Sequence, residues 1–152
     1  MRVLEAARVP YEVVEFSPEI HSADGVAEAV NVPPEQVYKT LVVQRSDGGK
    51  PVLVMIAGNR QLDLKKLAAA LGAKKLQMAA HKDAERLTGL KVGGISALAL
   101  MHKRWAVYID RPALDLEWLL VSAGQRGVNL RVPVADLVRV TGATVVDASA
   151  PG

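Results

Sequence analysis

TLVVQRSDGGKPVLVMIAG, residues 40–58, is the stretch of sequence that determines the fold class of this chain. Two apolar runs rich in β-branched residues, TLVVQ and PVLVMIAG, flank the polar segment RSDGGK. Asp-Gly-Gly between two such runs is a hairpin signal, because glycine adopts the positive φ angles that tight turns require. The pattern therefore predicts two antiparallel strands joined by a short turn.

Further strand signals lie on both sides of this hairpin. YEVVEF at 11–16, WAVYID at 105–110 and VNLRV at 128–132 alternate apolar with polar residues, which is typical of half-buried strands. KLQMA at 75–79 and TVVDA at 144–148 are shorter candidates. The sheet is therefore expected to continue well beyond the hairpin.

Helical segments alternate irregularly with these strands. Ser22 and Asp63 stand where N-caps belong, and Gly72, Gly89 and Gly142 stand where helices end. The predicted helices cover residues 1–8, 22–31, 63–72, 82–89 and 133–141. Because the order has no regular βαβ rhythm, we expect an α+β fold with a mixed, mostly antiparallel, curved sheet surrounded by helices.

Length and composition point to one domain spanning residues 1–152. Half of the 152 residues are apolar, and no linker-like segment interrupts them. The chain has no cysteine, which excludes disulfides, thiolate catalysis by the protein and cysteine-based zinc sites. A net charge of +3 permits contact with a polyanion such as RNA without requiring it.

The sequence gives no sign of a membrane segment, a metal or a cofactor. Its apolar runs are far shorter than the roughly 20 residues of a membrane span, and the N-terminus lacks signal-peptide order. We therefore expect a cytoplasmic protein. The histidines, His21, His81 and His102, lack the spacing of metal ligands, so neither a metal nor another cofactor is expected.

Lys39, in VYKTLVV, is the first candidate for chemistry. It stands where a turn meets an apolar strand, so its amine can point into a cleft with a pKa lowered by desolvation. The alternative is a solvated lysine at a strand end. Its neighbour Thr40 is either a pocket hydroxyl or an ordinary β-branched strand residue.

Two loops of small residues, KVGGIS at 91–96 and VSAGQRG at 121–127, are the second candidate. In the first loop, Gly93, Gly94 and Ser96 can form a nest that binds an anion or carbonyl oxygen, with Ile95 as an apolar wall. Both loops could equally be plain turns, because glycine is the usual turn residue. On chemistry alone the two interpretations stay open.

Five motifs together carry a resemblance to a known family. In chain order they are VYKTLVV, GNRQLDLKKLAAALGAKKLQMA, LTGLKVGGIS, IDRPA and VSAGQRG. Together they resemble the motifs of the YbaK-like aminoacyl-tRNA deacylases and occur in the same order. That family includes the Cys-tRNA(Pro) deacylase and the editing domains of prolyl-tRNA synthetases. The resemblance covers nearly the whole chain. It implies the YbaK-like editing-domain fold and a pocket for the aminoacylated 3′ end of tRNA.

The resemblance also assigns site residues. It implies that the catalytic groups are Lys39, Gly93 and Gly94, and that the substrate-binding residues are Phe16, Ile95, Ser96, Ser122, Ala123 and Gly124. Thr40 is counted with the substrate-binding residues because it is the neighbour of Lys39. Two positions depart from the family pattern. Ala97 replaces the usual proline after the loop serine, and Asn129 stands where the Cys-tRNA(Pro) deacylase has an acidic residue.

The function implied is that of a trans-acting deacylase that removes mischarged cysteine or alanine from tRNA(Pro), with prolyl-tRNA synthetase as a transient partner. For a cysteinyl ester the resemblance implies attack by the substrate's own thiol, whereas an alanyl ester needs a bound water. The alternative is a non-catalytic regulatory module that binds a nucleotide or the tRNA acceptor end. A purely structural interaction domain is the third possibility.

Overall fold

The computed structural model describes residues 1–152 and contains five α-helices and ten β-strands. The helices are α1 (Arg2–Ala6), α2 (Ala23–Val30), α3 (Leu64–Leu71), α4 (His81–Thr88) and α5 (Val134–Thr141). The strands are β1 (Glu12–Glu15), β2 (Tyr38–Arg45), β3 (Val52–Ala57), β4 (Arg60–Leu62), β5 (Leu76–Met78), β6 (Val107–Asp110), β7 (Trp118–Gln125), β8 (Val128–Pro133), β9 (Thr144–Val146) and β10 (Ser149–Pro151).

The predicted hairpin forms the centre of the fold. β2 and β3 are antiparallel, with Lys39 opposite Ile56 and Val43 opposite Val52. They lie within a five-stranded sheet of order β5-β2-β3-β6-β9, in which β6 and β9 run parallel to their neighbours. All six residues of β3 are buried, as expected of a central strand covered on both faces.

The remaining strands form two smaller sheets, β1-β8-β7 and β10-β4, rather than extending the central one. Five of the seven strand pairings are antiparallel, which confirms the predicted mixed, mostly antiparallel architecture. A parallel bridge between Val37 and Leu120 links the three-stranded sheet to the start of β2. The strands therefore meet near the N-terminal end of β2.

The helix caps follow the sequence rules. The Ser22 hydroxyl accepts the amide of Gly25, and the Asp63 carboxylate accepts the amides of Lys65 and Lys66. Gly72, Gly89 and Gly142 end their helices in the left-handed conformation. Pro133 precedes the first turn of α5 as its N-cap instead of lying within it, because it is still the last residue of β8.

Three strands do not appear among the sequence predictions. β4 and β10 have three residues each, too few to show a periodicity, and they pair only with each other. β7 ends in the small-residue segment that the sequence predicts to be a loop, and its pairing with β8 is irregular between Ser122 and Gln125. Trp105 lies outside β6, which begins at Val107.

None of the helices is long and apolar enough to span a bilayer.

Candidate functional site

A cleft of about 420 Å³ opens beside the N-terminal half of β2. β5 pairs only with residues 43–45, so the preceding part of β2 has no strand partner on that side. The start of α2, the start of α4 and the loop at 91–96 enclose the space that this leaves. The cleft is thus a consequence of strand length, because β5 stops before it would fill the gap.

Lys39 projects into this cleft from β2. Its ammonium group donates to the carbonyl oxygen of Gly58 at 3.3 Å, which leaves two N–H donors for a ligand. Partial burial lowers the pKa of the Lys39 amine, and the carboxylate of Asp24 partly offsets that effect. The side chain therefore presents a partly desolvated positive charge, a suitable partner for a phosphate or a ribose hydroxyl.

The loop at 91–96 reaches the cleft through Gly93 and Ile95. Gly93 has a φ of +92°, and a Cβ at this position would lie 3.0 Å from the Cα of His21. The amide of Gly94 donates to the Lys91 carbonyl at 2.7 Å, so it closes a turn within the loop. The amides of Gly93 and Ile95, by contrast, have no acceptor within the chain.

The segment at 121–127 is the irregular end of β7 and not a free loop. Gly124, with a φ of +110°, donates its amide to the Ser122 hydroxyl at 3.2 Å. A Cβ at Gly94 would lie 2.9 Å from backbone atoms of Gln125 and Arg126, so the two small-residue segments pack backbone against backbone. This close approach leaves no room for a side chain at position 94.

The structure brings five of the predicted site residues together in the cleft, namely Lys39, Thr40, Gly93, Ile95 and Ser122. Thr40 is buried, and its hydroxyl has no hydrogen-bond partner within the chain.

The other predicted site residues lie outside the cleft lining. Ser96 is buried, and its hydroxyl accepts the amide of Ala99. Ala123 packs against the main hydrophobic core, while Gly94 and Gly124 have the packing roles described above. Phe16, which directly follows β1, packs in a small cluster with Val26 and Leu120.

Several cleft residues were not among the predicted site residues. They are His21 and Asp24 at the start of α2, Met78 at the end of β5, His81 at the start of α4, and Asn129 in β8. Asn129 is buried opposite Ser122, and its side-chain amide has no partner within the chain. Only Asn129 had a sequence signal, as a departure from the family pattern.

The cleft histidines and carboxylates do not form a group suited to holding a metal ion.

Comparisons with known proteins agree with this geometry. Residues 17–140 match the family model described as the aminoacyl-tRNA editing domain. A protein of Enterococcus faecalis named “Putative Cys-tRNA(Pro)/Cys-tRNA(Cys) deacylase EbsC” is 39% identical over 143 residues, which are 93% of this chain and 86% of that protein.

Two further relatives extend the comparison. A proline–tRNA ligase of Streptococcus thermophilus is 31% identical over 114 residues, which are 75% of this chain but only 18% of the ligase. A crystal structure described as a “putative trans-editing enzyme for prolyl tRNA synthetase” superimposes with a TM-score of 0.83 at 25% identity, covering 98% of this chain and 93% of that one.

The matched region contains every residue that lines the cleft, from His21 to Asn129. The family match and the similarity to the Enterococcus faecalis protein both extend over most of the chain. The protein therefore belongs to the aminoacyl-tRNA editing domain family.

Proposed function

We propose that this protein is a cytoplasmic, trans-acting aminoacyl-tRNA deacylase that removes cysteine, or else alanine, from mischarged tRNA(Pro). The observation that carries the proposal is the juxtaposition of Lys39 with the free amide of Gly93 in one cleft of a member of the editing family. An editing reaction needs both a cation for the tRNA end and a donor for the ester oxyanion.

Lys39 is proposed to bind the phosphate or ribose of the terminal adenosine. Its two remaining N–H donors and its positive charge suit that anionic, hydroxyl-rich group. The amide of Gly93 is proposed to donate to the ester carbonyl oxygen as it becomes negative. Losing one such donor typically costs about 2.7–4 kcal/mol of transition-state stabilisation.

We propose two routes for the nucleophile, depending on the amino acid. The thiol of a cysteinyl ester attacks its own carbonyl carbon, a C–S bond forms, and the C–O bond to the ribose breaks as the proton given up by the thiol passes to the ribose oxygen. The resulting thiolactone is opened by water. An alanyl ester requires attack by water directly, and His21 and His81 are the imidazoles in the cleft that can accept its proton.

A separate editing activity is needed because a synthetase site rejects a smaller amino acid only weakly. One missing methylene changes selectivity by about 10–200-fold, which is too little for accurate translation. The match to 18% of a proline–tRNA ligase supports prolyl-tRNA synthetase as the source of the mischarged tRNA and as a transient partner.

The test is ester loss from tRNA(Pro) charged with cysteine, alanine or proline, and from tRNA(Cys) charged with cysteine. We expect rapid loss of cysteine or alanine from tRNA(Pro), with prolyl-tRNA spared. Lys39→Ala should slow the reaction about 10- to 100-fold, the value of one or two lost charged hydrogen bonds. Lys50→Ala, at the exposed hairpin turn, is the matched control and should retain full activity.

Two outcomes would reject the proposal. If no ester is lost but charged tRNA binds tightly, the chain is a non-catalytic module for the tRNA acceptor end. If neither charged nor uncharged tRNA binds, the cleft serves another ligand altogether.

A further inference from the structure

Charged side chains hold the two peptide groups that flank the Cα atom of Val92. The guanidinium of Arg126 donates through Nε to the Val92 carbonyl oxygen at 2.7 Å. The Val92 amide donates to the Glu85 carboxylate at 2.8 Å. These contacts come from two separate elements, the β7–β8 turn and α4, so the loop is fixed from outside its own sequence.

From this geometry we infer that Arg126 is a positioning residue that directs the Gly93 amide into the cleft as the oxyanion donor. The inference rests on the proposed function. Arg126 does not line the cleft, so it acts on the substrate only through the peptide that it holds.

Peptide planarity connects the two groups. The chain has no cis peptide bonds, so the Val92 carbonyl and the Gly93 N–H belong to one trans plane and point in opposite directions. Fixing the carbonyl oxygen with Arg126 therefore fixes the direction of the N–H. The Gly93 amide has no acceptor within the chain, and Gly93 lines the cleft.

A glycine at this position makes such a restraint necessary. Gly93 adopts a φ of +92° but could populate other regions at little cost, so the preceding peptide plane could rotate. Rotation would turn the carbonyl oxygen toward the substrate and repel the developing oxyanion. The hydrogen bond from Arg126 opposes that rotation.

The positive charge of Arg126 also strengthens the donor. A charge-assisted bond to the carbonyl oxygen withdraws electron density from the peptide and makes its N–H more acidic, as in cooperative hydrogen-bond chains. Gly94 cannot take over this role because its amide is already bonded to the Lys91 carbonyl.

The experiment compares Arg126→Gln and Arg126→Lys with the native chain in single-turnover deacylation of the mischarged tRNA identified above. For Arg126→Gln we expect kcat to fall by roughly 10–100-fold, less than the 10²–10³-fold for complete loss of a donor, with KM changed by no more than about threefold. Arg126→Lys should recover part of the rate, because an ammonium can still donate to Val92. Adding ethylguanidinium to an Arg126→Ala variant should restore activity in proportion to its concentration.

A second measurement follows the loop directly. In ¹⁵N NMR spectra, the Gly93 amide resonance should shift and broaden in Arg126→Gln, while the resonances of α3 stay unchanged. Arg131→Gln is the matched control, since Arg131 lies on β8, where it stacks on Trp118 and pairs with Glu12 outside the cleft. It should change neither kcat nor the Gly93 resonance.

The outcomes separate this inference from the proposed function. If native protein cleaves the ester and Arg126→Gln keeps its kcat, or loses rate only through KM, the inference is overturned and the deacylase proposal stands. If the Gly93 resonance is unaffected by Arg126→Gln, the positioning role is likewise rejected. A native protein that cleaves no ester removes both proposals.

Discussion

The two ends of the β2–β3 pair each have a Gly-Gly dipeptide and a hollow nearby, yet they differ in what the glycines do. At the hairpin end, a Cβ added to Gly48 would meet nothing within 4 Å. At the cleft end, a Cβ on Gly93 or Gly94 would lie within 3.0 Å of backbone atoms from other elements. The first pair serves chain reversal, and the second permits three segments to pack around a cleft.

The hollows differ as well. The one at the hairpin end, about 540 Å³ against 420 Å³, is more open to solvent, and four of its ten lining residues are charged. Its Arg45 already pairs with Asp47 at 3.1 Å. In the cleft, Thr40 and Asn129 lack partners within the chain. Polar side chains that reach the cleft without a partner in the chain, together with free amides, mark the end that can receive a ligand.

The largest effect is expected when Gly94, the second glycine of the pair at the cleft end, is exchanged for alanine. Gly94→Ala places a methyl group 2.9 Å from the backbone of Gln125 and Arg126, which cannot move without disturbing β7. We expect the free energy of unfolding to fall by about 1–3 kcal/mol, the usual cost of overpacking, and deacylation to fall at least roughly tenfold. Urea denaturation and single-turnover kinetics measure the two effects.

Gly49→Ala is the matched control at the hairpin end. Its methyl group would meet flexible side-chain atoms of Asp47 and Arg45, which can shift. Stability should change by no more than about 0.5 kcal/mol and activity should not change. Equal effects of the two substitutions would mean that the two glycine pairs have the same role, which would erase the distinction between the ends.

The features that the sequence predicts correctly have local determinants. The hairpin, the Ser22 and Asp63 caps and the glycine helix ends depend on a few neighbouring residues, and all are present as predicted. β7 was missed because its Ser-Ala-Gly end lacks strand periodicity and gains its structure from pairing with β8.

The site was predictable only in part, for the same reason. Lys39 and Gly93 carry motif signals, and both line the cleft. Gly94 resembles Gly93 in sequence, but its amide is used within the loop and its backbone contacts residues about thirty positions away. Such long-range contacts, like the entry of Asp24 and His81 into the cleft, cannot be derived from spacing along the chain.

A smaller effect is expected at Tyr38, whose hydroxyl is buried near the cleft end without a hydrogen-bond partner. Burial raises the pKa of Tyr38, and the Asp110 carboxylate raises it further. Because an unsatisfied hydroxyl is costly to bury, Tyr38→Phe should increase the free energy of unfolding by about 1 kcal/mol. Tyr108→Phe, on a half-exposed tyrosine of β6, should change it little. A loss of stability in Tyr38→Phe would show that this hydroxyl is paired after all.

The smallest effect concerns the two cations at opposite ends of β2. The hydrogen bond with Asp47 raises the pKa of Arg45, whereas burial lowers the pKa of Lys39. The pH window of interest lies between the lowered pKa of Lys39 in the folded chain and the ordinary lysine value of about 10.4. In that window the Lys39 amine is more protonated in the unfolded chain than in the folded chain. The contribution of Lys39 to the free energy of unfolding therefore rises with pH across the window. Below the window the cost of burying the charge is present in full.

The titration of Lys39 tests this difference through ¹³C NMR of reductively methylated protein, with Lys39→Arg used to assign the resonance. We expect the Lys39 resonance to titrate below the ordinary lysine value. Asp24→Asn should lower its midpoint further because Asp24 stabilises the charged form, whereas Asp47→Asn, at the hairpin end, should leave the midpoint in place. A Lys39 midpoint at the ordinary value would show that the amine is fully hydrated, and the cleft would then lose the desolvated charge on which its proposed hold on the tRNA end depends.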